Sequence, residues 1–382
     1  MHKASVRGAV APFGVMEVLK AATDRQRTHG DAIMLCVGQP STPAPAEVRA
    51  AAQRAIDSEL LGYSEAAGIL ELREAIAAHH RADGLEVEAG DVAVTTGSSG
   101  GFTTLFLAAF DVGDTVVMAR PGYPAYRNTL QAMGCEVIEL DCGPDIRHQP
   151  TLEMISSLPQ RPDGVIIASP SNPTGTIIDA DELGAIARWC ETHDVLLISD
   201  EIYHHISYGR ECRSAWHSSR QAAVIGSVSK YFSMTGWRLG WMLLPPHLRR
   251  SVELLSGNLS LCPPVLSQHA AIAAFTDAAR AELDTHVRRY AENRQILLER
   301  LPECGFSAIA PADGAFYLWC DISDLTDDSE QWCADVLART GVAIAPGTDF
   351  DTVAGQTHVR LSFAGTAEQM IIACDRLQSL LG

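Results

Sequence analysis

Short runs of aliphatic and β-branched residues alternate with helical periodicity between residues 91 and 260. Apolar residues spaced three and four apart predict helices near 101–110, 125–133 and 179–193. Alternation of this kind favours a largely parallel sheet that is covered by helices on both faces. The seven runs that predict strands are at 92–95, 115–119, 136–140, 164–169, 195–199, 223–227 and 239–244.

The segments on either side of this region have a different pattern. Before it, the sequence predicts helices at 15–27, 47–60 and 70–80, a Gly- and Pro-rich loop at 35–45, and an interruption at 62–68 that contains Tyr63. After it, the sequence predicts a long helix at 279–301, a helix at 330–340, strands at 342–345 and 358–361, and a last helix at 367–381.

Together these patterns predict an α/β fold with a mostly parallel seven-stranded sheet flanked by helices, and a smaller α+β domain. We expect residues 46–278 to form the large domain. Residues 1–45 would be an N-terminal arm and part of the small domain. Residues 279–382 would supply the linking helix and the rest of the small domain.

Composition indicates which classes of molecule the protein could bind and in which compartment it works. The 382 residues include 29 Lys and Arg against 47 Asp and Glu, and the net charge of −18 argues against binding to nucleic acid or to an anionic membrane. Ten scattered cysteines without a C-x-x-C pair indicate core thiols in a reducing compartment. No apolar stretch approaches membrane-spanning length, so we expect a cytoplasmic protein.

Polar and glycine-rich segments follow the predicted strands, and ligands bind at the carboxyl ends of such strands. Ser98 and Ser99 open a helix after the first strand, where exposed amides favour an anion. Tyr123 offers an aromatic ring after the second strand, and Asn172 lies in a turn between two prolines. Asp200 ends a fully apolar strand, where a carboxylate is costly unless it meets a cation.

The stretch 224–238 places Lys230 after another apolar run. Ser227 and Ser229 flank this lysine, and Arg238 follows eight residues later. Desolvation favours the neutral amine that Schiff-base chemistry needs, and the hydroxyls and guanidinium suit a compact anion such as phosphate. On this segment alone, Lys230 and Arg238 could equally be two surface cations.

Each of these segments also has an ordinary structural explanation as a turn or a helix cap. As a set they supply an anion site, a stacking ring, an amide, a buried carboxylate and a lysine. Pyridoxal phosphate presents the matching phosphate, aromatic ring, phenolic oxygen, ring nitrogen and aldehyde. A nucleotide-dependent α/β enzyme is disfavoured, because the sequence has neither a P-loop nor a G-x-G-x-x-G fingerprint.

From about residue 6 onward the sequence resembles the fold-type I pyridoxal-phosphate enzymes of the class I and II aminotransferases. The resemblance rests on an Asn-Pro-x-Gly turn at 172–175, on Asp-x-x-Tyr at 200–203, and on Ser-x-Ser-Lys at 227–230 with an arginine eight residues later. It implies that the large domain binds pyridoxal 5'-phosphate. It also implies a homodimer, because Tyr63 matches a loop tyrosine that reaches the phosphate in the neighbouring subunit.

The resemblance further implies a role for each matched residue. Lys230 would form the Schiff base and shuttle the proton, and Asp200 and Tyr203 would also be catalytic residues. Asp200 would pair with the ring nitrogen, Asn172 and Tyr203 would bond the phenolic oxygen, and Tyr123 would stack on the ring. The phosphate ligands would be Ser98, Ser99, Ser227, Ser229 and Arg238. Arg360 would hold the substrate α-carboxylate, with Gly38 and Asn172 beside it.

The expected reaction is transfer of an amino group between an L-amino acid and a 2-oxo acid. A carbon–sulfur β-lyase or a decarboxylase on the same scaffold is an alternative, because the lysine and the carboxylate serve all three reactions. A cofactor-binding regulator fused to a DNA-binding module is a weaker one, because the chain is acidic and begins directly with the enzyme-like arm.

The sequence leaves the side-chain pocket open. Its candidate lining residues are equally candidates for the core: Phe13, Val15, Met16, Tyr126, Trp237 and Trp319. No second arginine is assigned to a distal carboxylate. The pairs His79-His80 and His204-His205 are expected on a helix surface and at the pocket rim, and no metal is predicted.

Overall fold

The computed structural model describes residues 3–306 and 308–381. The strands of the described residues are β1 (Ile33–Met34), β2 (Val92–Thr95), β3 (Thr115–Arg120), β4 (Glu136–Asp141), β5 (Gly164–Ala168), β6 (Leu196–Asp200), β7 (Ala223–Ser227), β8 (Gly240–Leu243), β9 (Ala308–Ile309), β10 (Tyr317–Asp321), β11 (Val342–Ala343), β12 (Ala345–Pro346) and β13 (His358–Ser362). The α-helices are α1 (Gly14–His29), α2 (Ala46–Ser58), α3 (Leu70–Ala82), α4 (Gly97–Ala109), α5 (Pro124–Met133), α6 (Leu152–Ser156), α7 (Ala180–Thr192), α8 (Pro246–Leu259), α9 (Val265–Ile272), α10 (Asp277–Arg300), α11 (Ser329–Thr340) and α12 (Ala367–Leu381).

One seven-stranded sheet contains all seven strands that the sequence predicts. Its strand order is β2-β8-β7-β6-β5-β3-β4, and each strand begins and ends within one residue of its predicted bounds. Strand β8 runs antiparallel to both of its neighbours, whereas the other pairs are parallel. The prediction of an α/β fold with a mostly parallel sheet is therefore confirmed.

The central strands are apolar throughout because both of their faces are covered. Val224 of β7 packs into a core that includes residues of α3, α7 and α9. Ala223 and Ile225, its neighbours on the same strand, pack into the opposite core with α4 and α8. Since successive side chains of a strand point to opposite faces, no position of β7 is left for solvent.

A second sheet has the order β12-β13-β10-β9 and is antiparallel. Strand β1 pairs in parallel with β11, so a segment from the first part of the chain lies beside one from the last part. Helix α10 packs against α12 and also contacts α2. The domain boundaries at residues 45 and 278 stay a prediction.

All ten cysteines are free, and eight of them are buried, as expected for core thiols. Cys212 and Cys262 are half-buried. None of the helices in the described parts of the chain combines the length and the apolarity needed to cross a membrane.

The closest packing inside the large sheet generates a test of the fold. A Cβ atom on Gly226 of β7 would lie 2.2 Å from the ring of the buried Trp241 on β8. We expect Gly226→Ala to lower the free energy of unfolding by about 1–3 kcal/mol, because the indole has to move within a filled core. Thermal and denaturant unfolding measure the loss.

Gly143→Ala is the matched control, because a Cβ there meets nothing within 4 Å. Equal stability of the two variants would contradict the packing described for β7 and β8.

Candidate active site

The carboxyl ends of β5, β6 and β7 open onto a cavity of about 560 Å³, which residues of the second sheet also line. Eleven of the thirteen predicted site residues line this cavity. They are Gly38, Ser98, Ser99, Tyr123, Asn172, Asp200, Tyr203, Ser229, Lys230, Arg238 and Arg360.

Lys230 lies in the loop after β7, and its Nζ donates a hydrogen bond to the carbonyl oxygen of Gly38 at 2.8 Å. Burial, together with the positive charges of Arg360 and Arg238, lowers the pKa of Lys230 to about 8, although the Asp200 carboxylate opposes the shift. The chain has two other lysines, Lys3 and Lys20, and both are exposed. Lys230 is therefore the amine whose neutral form is accessible near neutral pH.

Asp200 is the last residue of β6 and is 4% exposed. Its carboxylate accepts hydrogen bonds from the Tyr126 hydroxyl and from the amide of Ile202. Burial raises the pKa of Asp200 to about 6, even though these two bonds and Lys230 act in the opposite direction. The carboxylate is thus held in place without enough positive charge to offset its desolvation.

Arg360 is a buried arginine on β13, 2% exposed. Its guanidinium carbon lies 4.4 Å from the ring centroid of Tyr317 and 4.6 Å from that of Phe350. Nη1 donates to Asn172 Oδ1 at 2.9 Å and Nη2 donates to the carbonyl of Cys36, whereas Nε is buried without a partner. A rigid guanidinium fork that keeps unused N–H donors suits a carboxylate ligand.

The hydroxyls of Tyr203 and Tyr317 are 2.7 Å apart and share a hydrogen bond. Because Asn172 accepts from Arg360 through Oδ1, its amide nitrogen is left to donate into the cavity. Burial raises the pKa of Tyr203 well above its ordinary value, so its hydroxyl stays protonated. Asn172 and Tyr203 therefore present uncharged hydrogen-bonding groups to the cavity.

The first turn of α4 lies at one end of the cavity, beside Arg238. Gly97 has φ +67°, and a Cβ atom there would lie 2.5 Å from Arg238 Nη2. Glycine at this position therefore lets the guanidinium approach the amides that begin the helix. Ser98 and Ser99 follow in the same turn and line the cavity together with Arg238, an arrangement that favours an anion.

Two predicted residues lie outside the cavity lining. The Ser227 hydroxyl accepts from the Ser229 amide at 3.0 Å and donates to the Leu239 carbonyl at 3.5 Å. Tyr63 is 85% exposed on its loop. The phosphate-binding roles of Ser227 and Tyr63 stay predictions.

The sequence interpretation missed part of the site. Tyr317 contacts both Tyr203 and Arg360, and a Cβ on Gly38 would lie 1.6 Å from its hydroxyl oxygen. Tyr126 had been considered only as a pocket or core residue, yet it hydrogen-bonds Asp200. No local motif marks either tyrosine, because each meets its partner across a long separation in sequence.

The expectation that the paired histidines lie on a helix surface is wrong for His79 and His80. Both are buried, because the face of α3 that carries them packs against Trp241, whose Nε1 donates to His80 Nε2 at 2.9 Å. His204 and His205 line a second cavity of about 410 Å³ rather than the rim of the first. Trp319, a candidate for the side-chain pocket, packs in the core against Phe350 and His358.

Comparison with known proteins gives one consistent family. The sequence model described as "Aminotransferase class I and II" matches residues 30–377. A relative from Mycobacterium tuberculosis named valine–pyruvate aminotransferase is 54% identical, over 99% of this chain and 98% of its own length. A Thermus thermophilus relative named aspartate/prephenate aminotransferase is 34% identical, over 98% of this chain and 97% of its own length.

Solved structures agree with the sequences. The crystal structure of an aminotransferase from Mycobacterium tuberculosis has a TM-score of 0.97 and 54% identity, and the comparison covers 100% of this chain and 99% of that one. The aspartate aminotransferase of Thermus thermophilus with maleate has a TM-score of 0.95 and 32% identity over the whole of both chains. Because these matches span nearly all of its length, the chain belongs to the class I and II aminotransferases and is a fold-type I enzyme that transfers amino groups.

Proposed function

We propose that this aminotransferase uses pyridoxal 5'-phosphate to move the amino group of a small aliphatic L-amino acid, such as valine, to pyruvate. The observation that carries the proposal is the single cavity in which Lys230, Asp200, Arg360 and the first turn of α4 face one another. The side chains that line this cavity suit a phosphorylated cationic ring at one end and an amino acid at the other.

The residues of the cavity fit pyridoxal phosphate. The start of α4 with Arg238 would hold the phosphate, and Asp200 would hold the ring nitrogen, whose positive charge offsets the desolvated carboxylate. Tyr123 would stack on the ring, and Asn172 with Tyr203 would bond its phenolic oxygen. When bound, this cofactor supplies an electron sink for the carbanion that forms at the substrate α-carbon.

Lys230 both attaches the cofactor and moves the proton in this proposal. When it is not bonded to the cofactor, its Nζ would accept the proton that leaves the substrate α-carbon and would pass that proton on within the cavity. The lowered pKa keeps a useful fraction of the amine neutral near neutral pH. Asp200 remains a fixed negative charge and transfers no proton.

Arg360 binds the substrate α-carboxylate in this proposal. Its fork is held by Tyr317, Phe350 and the carbonyl of Cys36, so little conformational entropy is lost when a carboxylate arrives. Lysine could not reproduce the planar two-donor contact. A substrate held in this way would present its α-carbon to Lys230.

The rest of the cavity supports an aliphatic substrate side chain. The apolar residues Phe13, Val15, Met16 and Val37 line it. In the described parts of this chain the cations that line it are Lys230, Arg238 and Arg360. All three have roles already, so the chain's own lining offers no further cation to a second substrate carboxylate.

The relatives agree with this assignment. The relative at 54% identity is named for valine and pyruvate, whereas the one named for aspartate and prephenate is 34% identical. A carbon–sulfur lyase or a decarboxylase is not favoured, because the relatives compared above are aminotransferases.

We also propose a cytoplasmic homodimer. Exposed apolar side chains support the dimer: Leu60 is 96% exposed and Tyr63 85%, and the loop that carries them packs beside the end of α8, where Leu259 and Leu261 are exposed too. Exposed apolar side chains that lie on neighbouring elements favour an interaction surface. The ten free cysteines support the reducing compartment.

Lys230→Ala should abolish transamination, because no other lysine of the described residues lines the cavity. Lys20→Ala should retain wild-type rates, since Lys20 is exposed. Borohydride reduction of the cofactor-loaded protein followed by peptide mass spectrometry should place the cofactor on Lys230 of the wild type. Turnover by Lys230→Ala, or a cofactor on Lys3 or Lys20, would contradict the assignment.

Valine should be a better amino donor to pyruvate than aspartate, by about tenfold or more in kcat/KM, because a buried second carboxylate would lack a partner. Isobutylamine, which lacks the α-carboxylate, should be a poor donor because it cannot engage Arg360. Pyruvate consumption and alanine formation measure all three. Aspartate turnover equal to that of valine would overturn the aliphatic assignment without affecting the transfer chemistry.

Tyr63→Phe should leave a dimer whose affinity for pyridoxal phosphate is about tenfold weaker, because one hydroxyl to a phosphate is removed. Ultracentrifugation gives the oligomeric state and equilibrium dialysis gives the affinity. Tyr208→Phe, which removes a hydroxyl that donates to the Ala315 carbonyl, is the control and should retain wild-type affinity. A fully active monomer would contradict the dimer.

A further inference from the structure

The second cavity carries a cluster that the transfer reaction does not use. We propose that His79, Asp83 and His205 bind a divalent transition metal, with zinc as the best match. The cluster joins the end of α3 to the turn that follows β6, and it lies on the wall of the 410 Å³ cavity.

Two of the three separations between the ligand atoms match those in a tetrahedral metal site. His79 Nε2 and His205 Nε2 are 3.1 Å apart, and His205 Nε2 is 3.3 Å from Asp83 Oδ2. All three atoms lie within 4.8 Å of one another. Four ligands placed tetrahedrally about 2.0–2.1 Å from zinc are separated by about 3.3 Å, so the two short separations match edges of that tetrahedron.

The sequence explains how the three residues meet. His79 and Asp83 are four residues apart at the end of α3, so their side chains project from the same side of the helix. His205 has φ +68°, a conformation that few residues other than glycine adopt. This backbone turns its imidazole toward His79, and the ring centroids are 4.7 Å apart.

The residue types suit a transition metal. Two imidazoles and one carboxylate form a ligand set that zinc accepts.

The cavity offers an entry path and polar groups beside the cluster. The side chains of Asp83 and His205 are 38% and 28% exposed, so an ion can reach them from solvent. Glu201 is 95% buried on the same cavity wall, and its Oε2 has no hydrogen-bond partner; His204 Nδ1 is 3.6 Å away.

The site is separate from the transfer chemistry. Glu201 and His204 belong to the segment that begins with Asp200, but they point into the second cavity rather than toward Lys230. A bound ion would link α3 to the segment that follows β6. It is therefore expected to stabilise the protein without taking part in proton transfer.

The experiment uses full-length, tag-free, cofactor-loaded protein that has been dialysed against a chelator. Calorimetric titration with Zn²⁺ should show one site per chain, and Co²⁺ should give the visible absorption bands of a tetrahedral ion with nitrogen and oxygen ligands. Asp83→Asn and His205→Asn should each weaken Zn²⁺ binding at least tenfold and remove the Co²⁺ bands, with the transamination rate unchanged. His247→Asn, which changes an exposed histidine on α8, is the control and should bind both ions like the wild type.

Asparagine suits position 205 because it tolerates positive φ, and Asp83→Asn decides the question alone if the other variant does not fold. A wild type that binds no Zn²⁺, or cluster variants that bind it as tightly as His247→Asn does, would overturn the proposal. Because the readout is metal binding, its failure would leave the transfer reaction untouched.

Discussion

Asp200 and Lys230 carry opposite charges and are both buried away from water at one edge of the large sheet. The arrangement of the rest of the site follows from this burial. Strand β6 delivers Asp200, and the loop after β7 delivers Lys230, into the same cavity. Desolvation shifts the pKa of Asp200 upward and that of Lys230 downward, so both charged forms are held less favourably than in water. A ligand with a cationic ring and a reactive carbonyl group would offset this desolvation cost. The ring would pair with Asp200, and the carbonyl group would react with Lys230.

Arg360 connects this edge to the second sheet. It reaches from β13 to Asn172 in the loop after β5 and to the carbonyl of Cys36 near the N-terminus. The proposed carboxylate-binding group is thus held by three separate parts of the chain. Its position relative to Lys230 therefore depends on the packing between the two sheets.

The sequence predicts the large sheet well because its strands are buried on both faces and are uniformly apolar. It predicts most of the cavity too, since ligands of parallel sheets bind where strands end and Asn172, Asp200 and Lys230 lie at successive strand ends. Tyr317 and the hydrogen bond from Tyr126 to Asp200 escape prediction, because they depend on which side chains meet across long sequence separations. The buried histidines were misplaced for the same reason: helical periodicity locates a face of α3 but does not show that Trp241 covers it.

Burial is expected to make the Lys230 amine reactive near neutral pH. The chain's three lysines allow a direct measurement: competitive acetylation of cofactor-free protein over a range of pH, with mass spectrometry of each lysine. We predict that the reactivity of Lys230 reaches half of its maximum near pH 8, the pKa given by its surroundings. A midpoint near the value of a free lysine, about 10.4, would contradict it.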